Sequence, residues 1–132
     1  MTCQPELQQA IYSRLAPDAA LAALITGVFD EVPIGAATPY VVIGDVTEDL
    51  SEAHDRYGID ATVTVHIWST YRGYYEAAQI LKEVDRLLHR SGLSVSGFTN
   101  VSIAQEQHQF MRDPDPDYRH VMARYRIWLE KE

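Results

Sequence analysis

Two segments of the chain alternate apolar and polar residues with a period of two, and this alternation limits the possible folds more than any other feature. One segment runs from Ala61 to Trp68 and the other from Val121 to Leu129. Because successive side chains of a strand point to opposite faces, each segment is predicted to be a β-strand with one buried face. The β-branched run Pro39–Gly44 predicts a central strand buried on both faces. The fold is therefore expected to be organised around a sheet.

Weaker strand signals and three helical segments complete the pattern. Short or weakly alternating strands are predicted at Val28–Asp30 and Thr99–Gln109. Apolar residues at three- and four-residue spacing predict an amphipathic helix between Pro5 and Leu15 and a longer one between Tyr74 and Leu88. Between them, Asp18 is positioned to cap a short second helix.

The resulting order of elements, α-α-β-β-β-α-β-β, predicts the fold class. It is typical of an α+β fold in which helices pack on one face of a mainly antiparallel sheet. At 132 residues, the chain has the usual size of one domain, so a single domain spanning residues 1–132 is expected.

A long β-hairpin arm is predicted between residues 41 and 68. Its two apolar strands flank the segment Thr47–Tyr57, which is rich in charged and polar residues. This segment is predicted to be an exposed loop at the tip of the arm.

The acidic segment Asp113–Asp117 is the densest cluster of potential metal ligands in the chain. Its carboxylates alternate with prolines, as oxygen ligands do at the start of a calcium loop. An EF-hand loop needs Gly at its sixth position and Glu at its twelfth, where this chain has Tyr118 and Arg124. The prolines instead predict a rigid turn between two strands, and calcium binding in another geometry stays open.

No residue pattern typical of catalysis is found. The five histidines lack the spacing that places two metal ligands on one helix face, although His66 and His120 are expected on neighbouring strands. His54 and Asp55 could form a base and its orienting group, but no Ser or Cys nucleophile is recognisable, and Cys3 is expected at a frayed terminus. The sequence predicts no catalytic residue, no metal site and no cofactor, and therefore a protein that is not an enzyme.

The charge balance argues against nucleic-acid binding. The chain has 19 acidic and 11 basic residues and a formal net charge of −8 at pH 7, whereas binding through phosphates requires concentrated Lys and Arg. The closing strand does carry Arg124, Arg126 and Trp128 on one predicted face. Because Arg and Trp are enriched at protein interfaces, this face is interpreted as a contact surface for a protein.

Membrane insertion and secretion are not expected either. No apolar run approaches the roughly 20 residues that span a bilayer, and Met1–Pro5 shows no signal-peptide pattern. Cys3 is the only cysteine, which excludes an intramolecular disulfide and fits synthesis in a reducing cytoplasm.

Several short segments, taken in order, resemble the tail-completion (tail-terminator) proteins of tailed phages. The resemblance covers nearly the whole chain. The segments that carry it are Leu7–Tyr12, Asp18–Leu24, Val28–Pro33, Pro39–Gly44, Val65–Ser69, Gly73 with Glu76 and Ala77, Arg112–Asp115 and Tyr118–His120.

The resemblance implies a structural protein of the virion. Members of this family form rings, typically hexameric, at the head-proximal end of the tail, where they stop polymerisation of the tail tube and dock onto the head connector. The implied partners are further copies of this chain, the tail-tube protein and the connector or stopper protein. The genome would cross the channel without specific binding, and no membrane is involved. Assembly is implied in the bacterial cytoplasm, in a phage, a prophage or a gene-transfer agent.

The subunit and partner contacts are expected at the hairpin arm and at the closing strand. A ring needs two different patches that meet head to tail, and the two regions are candidates for them. The residues expected at these contacts are Glu48, Asp49, Glu52, His54, Arg56, Arg124, Arg126 and Trp128.

Three alternatives stay open at this point. The chain could be a head-closure ring that binds the portal side of the connector. It could be a small dimeric α+β domain that binds a ligand, for which a ligand-dependent rise in melting temperature would be diagnostic. It could also be a hydrolase with an unusual site around His54.

Overall fold

A five-stranded sheet in the order β1-β2-β3-β5-β4 forms the centre of the fold. The computed structural model describes residues 1–53 and 56–132, and only the backbone of Ala53 and Arg56. The predicted order of elements and the α+β class are confirmed. The elements are α1 (Gln4–Leu15), α2 (Ala19–Ala22), β1 (Val28–Phe29), β2 (Tyr40–Ala53), β3 (Arg56–Ser69), α3 (Tyr75–Leu88), β4 (Phe98–Arg112) and β5 (Arg119–Lys131).

The four long strands are antiparallel to their neighbours. β2 pairs with β3, β3 with β5 and β5 with β4, while the two-residue β1 runs parallel to β2 at its outer side. The pairing of β3 with β5 is continuous from Gly58 opposite Glu130 to Ser69 opposite Arg119. The pairings of β2 and β4 are interrupted by irregularities at Asp45, between Thr99 and Ser102, and at Glu106.

The helices pack on one face of this sheet, as predicted. α3 lies across β3, β4 and β5, and α1 packs against α3 and β2. The odd-numbered residues of β3 from Ile59 to Ile67 and of β5 from Val121 to Leu129 are buried beneath them. Leu7, Ile11 and Leu15 of α1 complete this core.

The expectation that Pro39–Gly44 is buried on both faces was wrong. Val41 and Ile43 are buried under the helices, but Tyr40 and Val42, which point to the opposite face, are partly exposed. A continuous β-branched run fits burial on two faces as well as on one, so it does not reveal that helices cover only one face.

The prediction of a loop over Thr47–Tyr57 was also wrong for residues 47–53 and 56–57, which belong to strands, while residues 54–55 of that segment lie outside the described residues. β2 continues to Ala53 and β3 begins at Arg56, so the hairpin is paired almost to its tip. Polar side chains are tolerated in these strands because cross-strand partners satisfy them, as in the contact between the hydroxyls of Thr47 and Thr62. Leu50 and Ile59 lie opposite each other and form an apolar cross-strand pair, in which Ile59 is fully buried.

The N-terminus is anchored and not frayed, in contrast to the expectation for Cys3. The carboxylate of Glu48 accepts hydrogen bonds from the Cys3 amide at 2.7 Å, the Cys3 thiol at 3.0 Å and the Thr2 hydroxyl at 2.5 Å. Cys3 is fully buried, and burial, followed by the hydrogen bond to Glu48, raises the pKa of its thiol to about 12. A carboxylate from β2 therefore secures the start of α1, where the helix dipole favours negative charge.

Replacing Glu48 with glutamine is expected to lower the free energy of unfolding by about 0.5–1.5 kcal/mol, because a charge-assisted acceptor becomes a neutral one. Burial raises the pKa of Glu48, but the hydrogen bonds from Thr2 and Cys3 outweigh it and leave the pKa below its ordinary value. The stabilisation is therefore present above the ordinary pKa of glutamate and is lost as the pH falls through the lowered one. Urea unfolding of both proteins across this range measures the difference.

Asp49→Asn is the matched control for this experiment, because Asp49 is the exposed neighbour of Glu48. Its effect should stay within about 0.5 kcal/mol. Equal losses in the two variants, or a loss in Glu48→Gln that persists in acid, would contradict the anchoring role.

The segment Asp113–Asp117 forms the predicted turn between β4 and β5. The carboxylate of Asp113 accepts a hydrogen bond from the Asp115 amide at 2.9 Å, and that of Asp115 accepts one from the Asp117 amide at 3.0 Å. Such side-chain to backbone bonds are typical of Asx turns. The carboxylates therefore support the turn.

Candidate interaction surface

The sheet face opposite the helices, here called the open face, is the candidate functional surface. The even-numbered side chains of β3 and β5 point to it, together with their cross-strand partners on β2 and β4. No described helix covers this face. Its main side chains are Tyr40, Val42, Asp49, Asp60, Thr62, Thr64, His66, Trp68, Gln109, His120, Met122, Arg124, Arg126 and Trp128.

Four rings stack at the end of the open face near the β4–β5 turn. His120 lies parallel to Trp68, with ring centroids 3.9 Å apart, and also stacks on His66 at 4.9 Å. The rings of Tyr118 and Trp68 are nearly perpendicular, with centroids 6.2 Å apart. Stacked rings of this kind give a rigid, amphipathic surface.

The two histidines of this stack are linked by a hydrogen bond and held by a carboxylate. His66 Nδ1 and His120 Nε2 are 2.7 Å apart, and the other nitrogen of His66 lies 3.2 Å from Asp45 Oδ2. Burial, followed by the proximity of His66, lowers the pKa of His120, with Asp113 acting in the opposite direction. Asp45 sits at the bulge in β2 with a φ of 45°, which turns its side chain toward His66.

The other end of the open face carries two paired arginines. Arg126 donates two hydrogen bonds to Asp60, at 3.0 and 2.6 Å, and this fork geometry fixes both side chains. Arg124 donates to Glu106 at 2.9 Å and to Gln107 at 2.8 Å. Both guanidinium groups are therefore oriented by acceptors within the same subunit.

The Trp128 indole lies close to a glycine on the neighbouring strand. A Cβ atom built on Gly58 would come within 2.2 Å of the Trp128 indole, and the indole N–H donates to Glu130 at 3.2 Å. The absence of a side chain at Gly58 thus determines where the indole rests.

Gly58→Ala is expected to displace the Trp128 indole and to lower the free energy of unfolding by about 1–3 kcal/mol, since the new methyl group overlaps the ring. The chain has two tryptophans, so a Trp68→Phe background leaves Trp128 as the sole indole reporter. Its emission should shift to the red.

Gly44→Ala provides the control, because a Cβ at Gly44 would meet only the His66 ring at an ordinary 3.7 Å. An emission shift in Gly44→Ala as large as in Gly58→Ala would show that the effect is not specific to the close approach.

The expected contact residues divide between the two faces of the sheet. Asp49, Arg124, Arg126 and Trp128 lie on the open face, as alternation predicted for the closing strand. Glu48 and Glu52 point to the helix-covered face, Glu48 as the anchor of α1 and Glu52 as an exposed side chain near the tip. His54 and the side chain of Arg56 lie outside the described residues.

Two features were missed in the sequence, one on the open face and one at the outer edges of the sheet. The stacking of Trp68 on His120 follows from the register of β3 with β5, which period-two patterns do not specify. Leu50 and Phe110, on the outer strands of the sheet, are 56% and 40% exposed. In the sequence, each is a large apolar residue with polar residues before it, which is the signal that could have drawn attention to them.

Within residues 1–53 and 56–132, no group of three or more His, Cys, Asp or Glu side chains is arranged to hold a metal ion. The described helices are too short or too polar to cross a membrane. The candidate surface is therefore defined by its aromatic and histidine rings, by its arginine–carboxylate pairs and by the outer strands of the sheet.

Comparison with known proteins gives a match over almost the whole chain. The family model described as "Tail completion protein gp17" matches residues 9–130. A chain of the solved structure described as "Virion of native gene transfer agent (GTA) particle" superposes with a TM-score of 0.91, at 26% sequence identity. The superposition covers 98% of this chain and 98% of that chain. No curated protein sequence matches.

Proposed function

Because the chain belongs to the tail completion protein family, a family of phage tail structural proteins, we propose that it forms a ring at the head-proximal end of a tail. The ring stops polymerisation of the tail tube and joins the tail to the head connector. The observation that carries this proposal is the family match over residues 9–130, together with a shared fold over 98% of a chain from a gene-transfer-agent virion.

The proposed ring consists of identical subunits, six in the form typical of the family. A closed ring of one chain requires a heterologous contact, in which two different patches meet. The hairpin acids Glu48, Asp49 and Glu52 are assigned to one patch or to its border. The closing-strand residues Arg124, Arg126 and Trp128 are assigned to contacts with neighbouring subunits, the tail-tube protein or the connector.

The genome is proposed to cross the ring without being held. The formal net charge of −8 opposes phosphate binding. In addition, Arg124 and Arg126 already donate to Glu106 and Asp60 within the subunit. Phosphate contacts would have to replace these ion pairs, so tight binding to duplex DNA at physiological salt would count against this part of the proposal.

A structural role is proposed in place of a catalytic one. The paired groups of the open face, such as His66 with His120 and Arg126 with Asp60, satisfy one another. Membership of a tail structural family supports the same conclusion. The site of action is proposed to be the virion.

Electron microscopy of particles from a strain that lacks the gene tests the proposal. Full heads without tails, together with overlong free tubes, are expected, and the gene supplied from a plasmid should restore joined particles. Tails of normal length beside heads that have lost their DNA would instead indicate a head-closure ring. Normal particles would overturn the assignment to the virion.

A further inference from the structure

We infer that neighbouring subunits are joined by backbone pairing of their outer strands, with residues 48–52 of β2 lying antiparallel to residues 108–112 of β4 in the next copy. This inference rests on the proposed ring and specifies the contact that builds it. The partner is therefore a second copy of this chain.

Each outer strand of the sheet has one stretch whose outward-facing backbone groups bond to other parts of the subunit and, within the described residues, one stretch without such bonds. At the start of β2, the Val41 amide donates to the Gly27 carbonyl beside β1 at 3.1 Å. In the middle of β4, the Ile103 carbonyl accepts from the Arg90 amide and the Gln105 amide donates to His89 Nδ1, both at 2.8 Å. Within the described residues, the later part of β2 and the last part of β4 have no such cover.

The uncovered parts present backbone donors and acceptors at alternate residues. In an antiparallel strand, every second residue turns its N–H and C=O groups away from its partner strand. The outward hydrogen bonds of Val41 and Ile103 identify the odd-numbered residues around them as outward-facing. The bulges at Asp45 and Glu106 each add one residue, so the even-numbered residues face outward after them. The outward-facing residues are Val46, Glu48, Leu50 and Glu52 on β2, and His108, Phe110 and Arg112 on β4.

The side chains at these positions complement one another in a single antiparallel register. With Leu50 opposite Phe110 of the next copy, two large exposed apolar side chains cover each other. In this register, the Glu52 carboxylate faces the His108 ring. Glu48, whose carboxylate also anchors Thr2 and Cys3, faces Arg112, so each flanking pair places a carboxylate opposite a nitrogen-bearing side chain. Cross-strand pairs of these kinds stabilise sheets.

Phe110 is already positioned for this contact. Its ring packs edge-on against Tyr74 at 5.6 Å and against His108 at 5.7 Å, while 40% of the residue stays exposed. A rigid aromatic side chain that is half buried before association loses little conformational freedom when a partner covers it.

The topology allows this joint to repeat around a ring. The chain directions alternate along β2-β3-β5-β4, so β4 runs opposite to β2 within one subunit. A neighbour in the same orientation then continues the alternation without a break. The uncovered parts lie toward opposite ends of the sheet, so adjacent subunits are staggered along the strands, as in closed barrels, whose strands are tilted.

A disulfide between Ser51→Cys and Gln109→Cys tests the joint. In the inferred register, these exposed residues form a non-hydrogen-bonded pair across the interface, where Cα atoms are about 4.5 Å apart, within reach of a disulfide. Inside one subunit they lie on opposite outer strands, three strand spacings or roughly 14 Å apart across the strands, and in addition toward opposite ends of the sheet. Mild oxidation of purified protein and of assembled particles should convert most of the double variant into a ladder of covalent oligomers on a non-reducing gel.

Three controls make the result specific. The unaltered chain, with Cys3 buried, should stay monomeric on the gel. A mixture of the two single variants should give heterodimers and nothing larger. The pair Ser51→Cys with Gln107→Cys, shifted by two residues, should crosslink several-fold less.

The outcomes separate the joint from the tail function. Homodimers from Gln109→Cys alone would indicate two-fold pairing of β4 edges and would overturn the inferred joint. The joint would also be overturned if the double variant stayed uncrosslinked in particles that had assembled normally. The two experiments can also disagree. If the double variant gives a full ladder of oligomers but deletion of the gene leaves the particles unchanged, the joint is supported and the assignment to the tail is overturned.

Discussion

Replacing Tyr125 with alanine is expected to lower the free energy of unfolding by about 3–5 kcal/mol, the cost of removing a large aromatic side chain from a packed core. Tyr125 is fully buried beneath α3, and burial raises the pKa of its hydroxyl. Its hydroxyl donates to Asp85 at 3.2 Å and lies 3.4 Å from Gln105 Nε2. Urea unfolding followed by circular dichroism measures the loss.

Tyr125→Phe keeps the ring and removes only the hydroxyl. Because Gln105 Nε2 still donates to Asp85 at 3.0 Å, this variant should lose about 0.5–1.5 kcal/mol. If Tyr125→Ala were no more destabilised than Tyr125→Phe, the ring would contribute little and the described core would be incorrect.

Replacing Phe110 with aspartate is expected to prevent ring assembly while leaving the subunit folded. A carboxylate opposite Leu50 of the neighbour removes the apolar contact and adds a charge beside Glu52. Loss of an interface anchor costs about 2 kcal/mol or more, which weakens association roughly thirtyfold at each joint. Light scattering coupled to size-exclusion chromatography, together with complementation of the gene deletion, measures the effect.

Ile34→Asp is the matched control for the assembly experiment. Ile34 is fully exposed and lies between β1 and β2, away from both outer-strand segments of the joint. This variant should assemble normally. If Ile34→Asp and Phe110→Asp failed to the same degree, the added negative charge and not the lost contact would be the cause.

The order of elements could be predicted because each period of apolar residues is a local property. The helical spacing in α3 and the alternation in β3 and β5 directly record which side of each element faces the core. The placement of Arg124, Arg126 and Trp128 on one face followed from the same rule and agrees with the structure. These inferences need no knowledge of which strands are neighbours.

Features that depend on distant contacts were not visible in the sequence. Thr47–Tyr57 resembles a loop because its side chains are polar, yet backbone pairing between β2 and β3 extends nearly to the tip. Cys3 looks terminal, but a carboxylate 45 residues away buries and holds it. Likewise, the uncovered edges of β2 and β4 could be identified only once the strand order was known.

The positions of the bulges bear on how such a chain can change in length over evolution. All three irregularities fall in β2 and β4, while β3 and β5 pair without interruption. An extra residue in an outer strand can be absorbed as a bulge, as at Asp45, without turning the following side chains to the wrong face. An extra residue in β3 or β5 would disturb the pairing with the strands on both sides, because each of these strands lies between two others. Relatives should therefore differ by insertions and deletions at the margins of the sheet and keep the lengths of its central pair constant.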